Sequence, residues 1–199
     1  MKKAFKKISK VIVKGGILLW CKVAHRVKIE GREDIPKEGA LIFCGNHRTF
    51  LDPPLIVVTA KRHVHFLAKE ELYKNPFLAF LGWSFDGIKV RRDAKDITAI
   101  KTSLKYLKNG ACIALFPEGT RNGLAKGEKV KDGAAFFALR TGAKVIPIGI
   151  SGKTGHFSKV TIKYGKPLDY SEYKKSEDEK KALEEITEDI MNHIIELSK

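Results

Sequence analysis

An α/β fold is what this 199-residue sequence predicts: a mixed, largely parallel sheet flanked by helices, with an amphipathic helix ahead of it. Three observations carry that expectation. Short apolar runs rich in β-branched residues recur along the chain. Most are separated by stretches of helical periodicity, which are long enough to carry a crossover between parallel strands. The first residues repeat apolar side chains at helical steps among lysines. A chain of this length builds one domain with a full core. Two units are therefore expected: residues 1–26 as a basic membrane-association segment and residues 27–199 as the folded domain.

The strand-like runs are 27–30, 40–44, 64–67, 88–91, 111–116, 145–150 and 160–164, and the helix-like runs are 53–60, 69–81, 96–108, 132–140 and 177–197. Runs such as "ALIFC" and "VIPIGI" are apolar throughout, as strands buried on both faces must be. The last helix is the best marked. Ser176 and Glu179 form a capping box, and Leu183, Ile186, Ile190, Ile194 and Leu197 then step by three or four residues. The segment 169–176 reads as a solvated loop. There is no internal repeat and no low-complexity linker.

The formal net charge is +15, from 38 Lys and Arg against 23 Asp and Glu, which points to an anionic partner: nucleic acid, anionic lipid or a phosphorylated substrate. The charge is uneven, for nine Lys or Arg precede the first acid, Glu30. The opening segment lacks a cleavage site, and its longest uncharged run, 15–21, is too short to span a bilayer, which takes about 20 apolar residues. Ile8, Val11, Ile12, Leu18 and Leu19 share a face, with Lys7, Lys10, Lys14 and Lys22 between them. That is the pattern of a helix lying in a membrane interface. A helix packed on its own domain is the alternative. Cys21, Cys44 and Cys112 form no pairing framework and no metal-binding spacing, as expected of free thiols in a reducing compartment.

The chemistry concentrates in "CGNHRTFLDPP", residues 44–54. Gly45 and Asn46 break a buried strand, and Asp52 before Pro53 is a natural helix N-cap. His47 thus falls in a strand-to-helix loop, the edge at which α/β sheets bind ligands. The loop can fold the Asp52 carboxylate onto one imidazole nitrogen and leave the other as an acceptor. This is an oriented base without a protein nucleophile, so the missing hydroxyl can belong to the substrate. No Gly-x-Ser-x-Gly elbow is present. The alternatives are a simple cap and a satisfied polar histidine.

Other strand ends add cations. "LFPEGTRNG", residues 115–123, carries Glu118, Gly119 and Arg121 on a turn suited to phosphate oxygens. "IKVRRD" supplies Arg91 and Arg92, and "HFLAKEEL" supplies Lys69. "GISGKTG" lacks the first glycine of a Walker A loop, having Pro147 there, and is followed by a strand-like run.

Taken together, His47-x4-Asp52, Phe116-Pro-Glu-Gly-Thr-Arg121 and Val145-Ile-Pro-Ile-Gly149 resemble, in order and spacing, the motif blocks of the glycerolipid acyltransferase family over residues 27–170. The resemblance is to the branch that makes phosphatidic acid from lysophosphatidic acid. It implies an α/β catalytic domain attached to the cytoplasmic face of the cell membrane. The acyl donor it implies is acyl-CoA or acyl-carrier-protein, with no cofactor and no metal. Carried over, His47 is the general base and Asp52 its orienting partner. Glu118, Gly119 and Arg121 match the block that binds the acyl acceptor, and Lys69 resembles a lysine holding the acceptor phosphate. Arg92 matches the second-block arginine. That block reads Asp86-Gly-Ile-Lys-Val-Arg-Arg92 here, without the usual glycine–aromatic start, so Arg91 stands as the alternative. Pro147 matches the fourth-block proline. Aromatics in 73–85 are candidates for an acyl-chain groove or for ordinary core.

The implied reaction is therefore acyl transfer to the 2-hydroxyl of 1-acyl-glycerol-3-phosphate. The rivals are an acyltransferase for another lysophospholipid and a non-catalytic basic lipid-binding protein. A nucleic-acid partner is not expected, since no helix-turn-helix, zinc or aromatic-basic RNA signature occurs.

Overall fold

The computed structural model describes residues 2–24, 26–91, 96–153 and 158–199. All seven strand-like runs form strands of one sheet: β1 (Arg26–Glu30), β2 (Leu41–Gly45), β3 (Val64–Lys69), β4 (Ile88–Val90), β5 (Cys112–Leu115), β6 (Lys144–Gly152) and β7 (Lys159–Tyr164). Their order is β1-β7-β6-β2-β5-β3-β4. β6, β2, β5, β3 and β4 are mutually parallel, while β7 pairs antiparallel with β6 and parallel with β1. The mixed, largely parallel sheet is as expected.

Alternation along the strands divides the core in two. From β2, Ile42 and Cys44 join Ile113, Leu115 and Val145 beneath α4 (Ile97–Lys108), α5 (Gly133–Thr141) and α6 (Glu179–Leu197). Leu41 and Phe43 point the other way, with Ala114, Ile146 and Ile148, beneath α2 (Asp52–Thr59). Burying each of these large side chains is worth about 1.5–3 kcal/mol. α1 (Lys2–Ala24) lies over α2, α3 (Pro76–Ser84) and β1. Its Ser9 is buried and Ile17 meets the core, while Phe5, Ile8, Val11, Ile12, Leu18 and Leu19 stay exposed. One face of the helix thus packs on the domain, as the alternative reading expected, and the other presents apolar side chains. No helix among the described residues is long and apolar enough to cross a membrane.

Three local expectations are corrected. The run 69–81 is not one helix: a 3-10 turn, Glu70–Lys74, precedes α3. Asn75 separates them, and its side chain accepts from Phe77 N at 3.0 Å and Leu78 N at 3.2 Å, with Pro76 in the first helical position. The cap of α6 is Asp178, whose carboxylate accepts from Lys181 N at 3.0 Å. A helix starting at Glu179 leaves Ser176 one turn too early to cap it. The segment 169–176 is not all solvated, because Tyr170 is buried and its hydroxyl donates to Asp189 Oδ2 at 2.6 Å.

Candidate active site

The parallel strands deliver the candidate residues to one edge of the sheet. His47 follows β2, Lys69 ends β3, Arg91 follows β4 and Glu118 follows β5. Adjacent parallel strands share their C-terminal edge, which is why separated segments converge there.

Asn46 fixes where the chain leaves β2. Its amide donates to Ile150 O at 2.9 Å and accepts from Ile150 N at 2.7 Å, as a further strand residue would. The next residues turn around Asp52, only 3% exposed. Asp52 Oδ2 accepts from Arg48 N at 2.6 Å and Thr49 N at 2.5 Å, and Oδ1 accepts from the Thr49 hydroxyl at 3.0 Å. His47 Nδ1 lies 3.3 Å from Oδ2. Donation from Nδ1 fixes the tautomer and leaves Nε2 as the acceptor. Asp52 is not the N-cap of α2: it sits inside the first turn after Leu51, and its carboxylate reaches backward to the loop. The charge therefore organises the histidine loop. One face of the imidazole is covered by Phe116, with ring centroids 4.1 Å apart and planes within 7°.

A second buried acid knits the next loop to the first. Glu118 is 5% exposed; its Oε1 accepts from His47 N at 2.9 Å and its Oε2 from Leu124 N at 3.1 Å. His47 O accepts in return from Asn122 N at 2.6 Å. Both carboxylate oxygens of Glu118 are thus directed to backbone amides. Gly119 adopts φ +71°, and a Cβ there would lie 2.7 Å from Lys131 Cε, so the turn favours glycine.

The structure therefore brings His47, Asp52 and Glu118 into direct contact. Lys69 and Arg121 are exposed on the same edge, and neither makes an ion pair or hydrogen bond among the described residues. Arg91 is committed to Asp96: its N–H donates at 2.9 Å and its guanidinium lies 3.8 Å from the same oxygen. Arg92 lies outside the described residues. Pro147 is buried inside β6, where its carbonyl accepts from Gly165 N at 2.8 Å.

Beside the histidine loop opens an apolar cavity of about 540 Å³. Thr49, Phe50 and Leu55 form one wall, Ile12 and Gly16 of α1 another, and Phe77 and Leu81 of α3 a third. Of the 73–85 aromatics, Phe77 faces this space, whereas Trp83 packs against Phe5, centroids 6.0 Å apart, and against Phe80 at 6.1 Å.

This arrangement can be set beside known proteins. The family pattern described as Acyltransferase matches residues 26–151, more than half the chain. This chain belongs to the acyltransferase family. A 1-acyl-sn-glycerol-3-phosphate acyltransferase of Borreliella burgdorferi is 31% identical over 148 residues, covering 73% of this chain and 59% of that protein. One from Bacillus subtilis is 27% identical, covering 74% and 76%. The crystal structure of the 1-acyl-sn-glycerophosphate (LPA) acyltransferase PlsC from Thermotoga maritima superposes with a TM-score of 0.65 at 29% identity, covering 96% of this chain and 80% of that one. The alignment with the Borreliella acyltransferase thus leaves about two-fifths of that relative unmatched.

Within the candidate site, sequence reasoning missed what Asn46, Thr49 and Phe116 do. Asn46 finds its partner 104 residues away, which no local pattern reveals. Phe116 was readable as the end of an apolar run and the start of a motif block, but not as a ring stacked on His47.

Proposed function

We propose that this acyltransferase moves a fatty acyl group from an acyl thioester, acyl-CoA or acyl-carrier-protein, to the free 2-hydroxyl of 1-acyl-glycerol-3-phosphate, giving phosphatidic acid. The observation that carries the reading is the His47–Asp52 pair: a buried carboxylate beside Nδ1, with Nε2 left to accept a proton, in a loop whose next residues line an apolar cavity. The names of its relatives supply the acceptor.

In the proposed step, the acceptor phosphate lies against Arg121 and Lys69, with Arg92 as a further expected contact. This sets the 2-hydroxyl at His47. The hydroxyl oxygen attacks the thioester carbonyl carbon while Nε2 takes its proton. The carbon–sulfur bond then breaks, and the thiolate recovers that proton from the imidazolium. Asp52 stabilises the imidazolium in between. Orientation of two bound substrates is worth up to roughly 7–11 kcal/mol of the barrier, and general-base help roughly 10²–10⁴-fold. The apolar cavity suits an acyl chain. Glu118 positions His47 and does not itself hold the acceptor, because both its oxygens are engaged. No cofactor or metal enters this scheme.

The exposed apolar face of α1, with Phe77, Phe80 and Trp83 beside basic residues, suits peripheral attachment to an anionic membrane surface, proposed as the cytoplasmic face of the cell membrane. On this view residues 1–26 are both anchor and cavity wall, and residues 27–199 the acyltransferase domain.

The test is purified chain with lysophosphatidate and palmitoyl-CoA or palmitoyl-carrier-protein, products read by mass spectrometry. Phosphatidate formation is expected. Acylation of other lysolipids but not lysophosphatidate would replace the acceptor, and no transfer from either donor would overturn the reading.

A further inference from the structure

A second basic cavity lies at the opposite edge of the sheet from His47. It measures about 200 Å³ and is lined by Lys10, Lys14, Lys61, Arg62 and His63, with Val57 beside them and no acidic residue among its lining. Lys61, Arg62 and His63 stand just before β3 begins. Arg62 donates to Pro36 O at 2.9 Å, Gly39 O at 2.8 Å and Gly110 O at 3.1 Å, carbonyls that precede β2 and β5. These are the N-terminal ends of the strands whose C-terminal ends carry the acyltransferase site.

Arg62 is fixed in place, and Lys14, Lys61 and Arg62 pair with no carboxylate among the described residues. The three carbonyls take three of the five guanidinium N–H donors of Arg62 without cancelling its charge. Lys14 is partly buried and has no hydrogen bond or ion pair among the described residues. Burial, and then the Arg32 charge, lower its pKa, so its ammonium is held at a cost. Arg32 Nε is itself buried without a partner. The nearest acid is Asp86, already held by Lys6 and, at 2.5 Å, by Lys10. The same carboxylate, with His63 and His65, makes the group among the described residues whose ligand atoms lie within 4.8 Å of one another. The two ammoniums on that carboxylate make it a poor place for a metal cation.

Three cations without a carboxylate partner, and a fourth, Lys10, shared with Asp86, around a small cleft with an apolar floor call for a compact, multiply charged anion. We infer that this cavity is a binding site for a phosphomonoester dianion, held by Lys14, Lys61, Arg62 and Lys10, and distinct from the acceptor site of the reaction. Its location beside Val11, on the exposed face of α1, allows the phosphate to arrive either as a lipid headgroup or as the free ion.

The test is calorimetric titration of the full chain with inorganic phosphate and, separately, with a short-chain phosphatidate. Each is repeated for Lys61→Ala, for Lys14→Ala and, as a control, for Lys180→Ala, an exposed lysine of α6 on the other face of the sheet. Removing either lysine should weaken phosphate binding about tenfold, the scale of one charge-assisted hydrogen bond. Lys180→Ala should leave this binding unchanged and Lys14→Arg should retain it. Binding should also weaken below pH ~6, where the phosphate loses its second charge. Lys14→Ala should unfold at a higher temperature than the parent without ligand, since a partly desolvated, unpaired ammonium has been removed. A phosphatidate-only loss assigns the site to headgroups, and equal losses assign it to phosphate in general. Wild-type affinity for both ligands in both lysine variants, or binding of neither ligand by the parent, would overturn the inference. None of these readouts needs turnover, so failure here leaves the acyl-transfer reading standing.

Discussion

Two ends of the same sheet use carboxylates in opposite ways. At the C-terminal edge, Asp52 and Glu118 are almost fully buried and accept mainly from backbone amides, at 2.5–3.1 Å. At the N-terminal edge, Asp86 is half-buried and gathers side-chain ammoniums, Lys6 and Lys10, with His63 Nε2 at 3.2 Å. Backbone dipoles are neutral and cannot swing away, so the first arrangement holds the loop that carries the imidazole. Lysine side chains are mobile and salt-screened, so the second fastens a helix without freezing it. Rigidity is placed where the proposed proton transfer needs it, and adjustability where α1 meets the domain and walls the apolar cavity.

The comparison breaks most sharply at Asp52. Asp52→Ala strands two buried N–H groups, which costs about 1–3 kcal/mol each, and frees the imidazole. Denaturant melts should show that loss, and acyl transfer should fall roughly 10²–10⁴-fold in kcat. Glu118→Gln keeps one acceptor oxygen and sets an N–H₂ against a backbone donor. A smaller loss is expected, about 1–3 kcal/mol in stability and roughly tenfold or more in kcat with KM little changed. A KM-only effect would instead place Glu118 on the acceptor. Arg121→Ala and Lys69→Ala, on the exposed rim, should mainly raise KM for lysophosphatidate with the melting temperature unchanged.

Asp86→Asn should have the smallest effect, at most about 1 kcal/mol for each lysine pair. Burial raises the Asp86 pKa, but hydrogen bonds from Lys10 and Lys6 and their charges outweigh it, and the carboxyl ends at about 2. A depressed acid stabilises the fold above its unfolded value, near ~3.9, and that stability is lost as pH falls through about 2. Acid melts of the parent between pH ~4 and ~2 should therefore include a step that Asp86→Asn lacks. Hydrogen exchange on α1 should accelerate in that variant, and 1 M salt should do the same to the parent.

The central strands β2, β5 and β6 could be read from the sequence because a parallel sheet covered on both faces demands continuous apolar runs, whereas β1, β4 and β7 were read from alternating apolar and polar residues. The convergence of His47, Lys69 and Glu118 at one edge follows from parallel topology alone. What stayed hidden were choices between near-equal local options. Ser176 and Asp178 could each cap α6, and the side chain three residues before a free amide won. Asp52 looked like a cap, yet the loop behind it offered more donors than the helix ahead. The inward turn of Glu118 depends on amides at His47 and Leu124, and the former lies in another segment entirely. The motif residues were legible, but the division between those that hold the histidine and those left free for a ligand was not.

The most direct test compares His47→Ala with the parent chain in single-turnover acyl transfer to lysophosphatidate, with acid quenching and intact-protein mass spectrometry. The account predicts an equally folded variant with transfer slowed at least roughly 10²-fold, and no acyl adduct on either polypeptide at any time. Undiminished transfer by the variant, or an acylated protein that forms and decays in step with product, would contradict it.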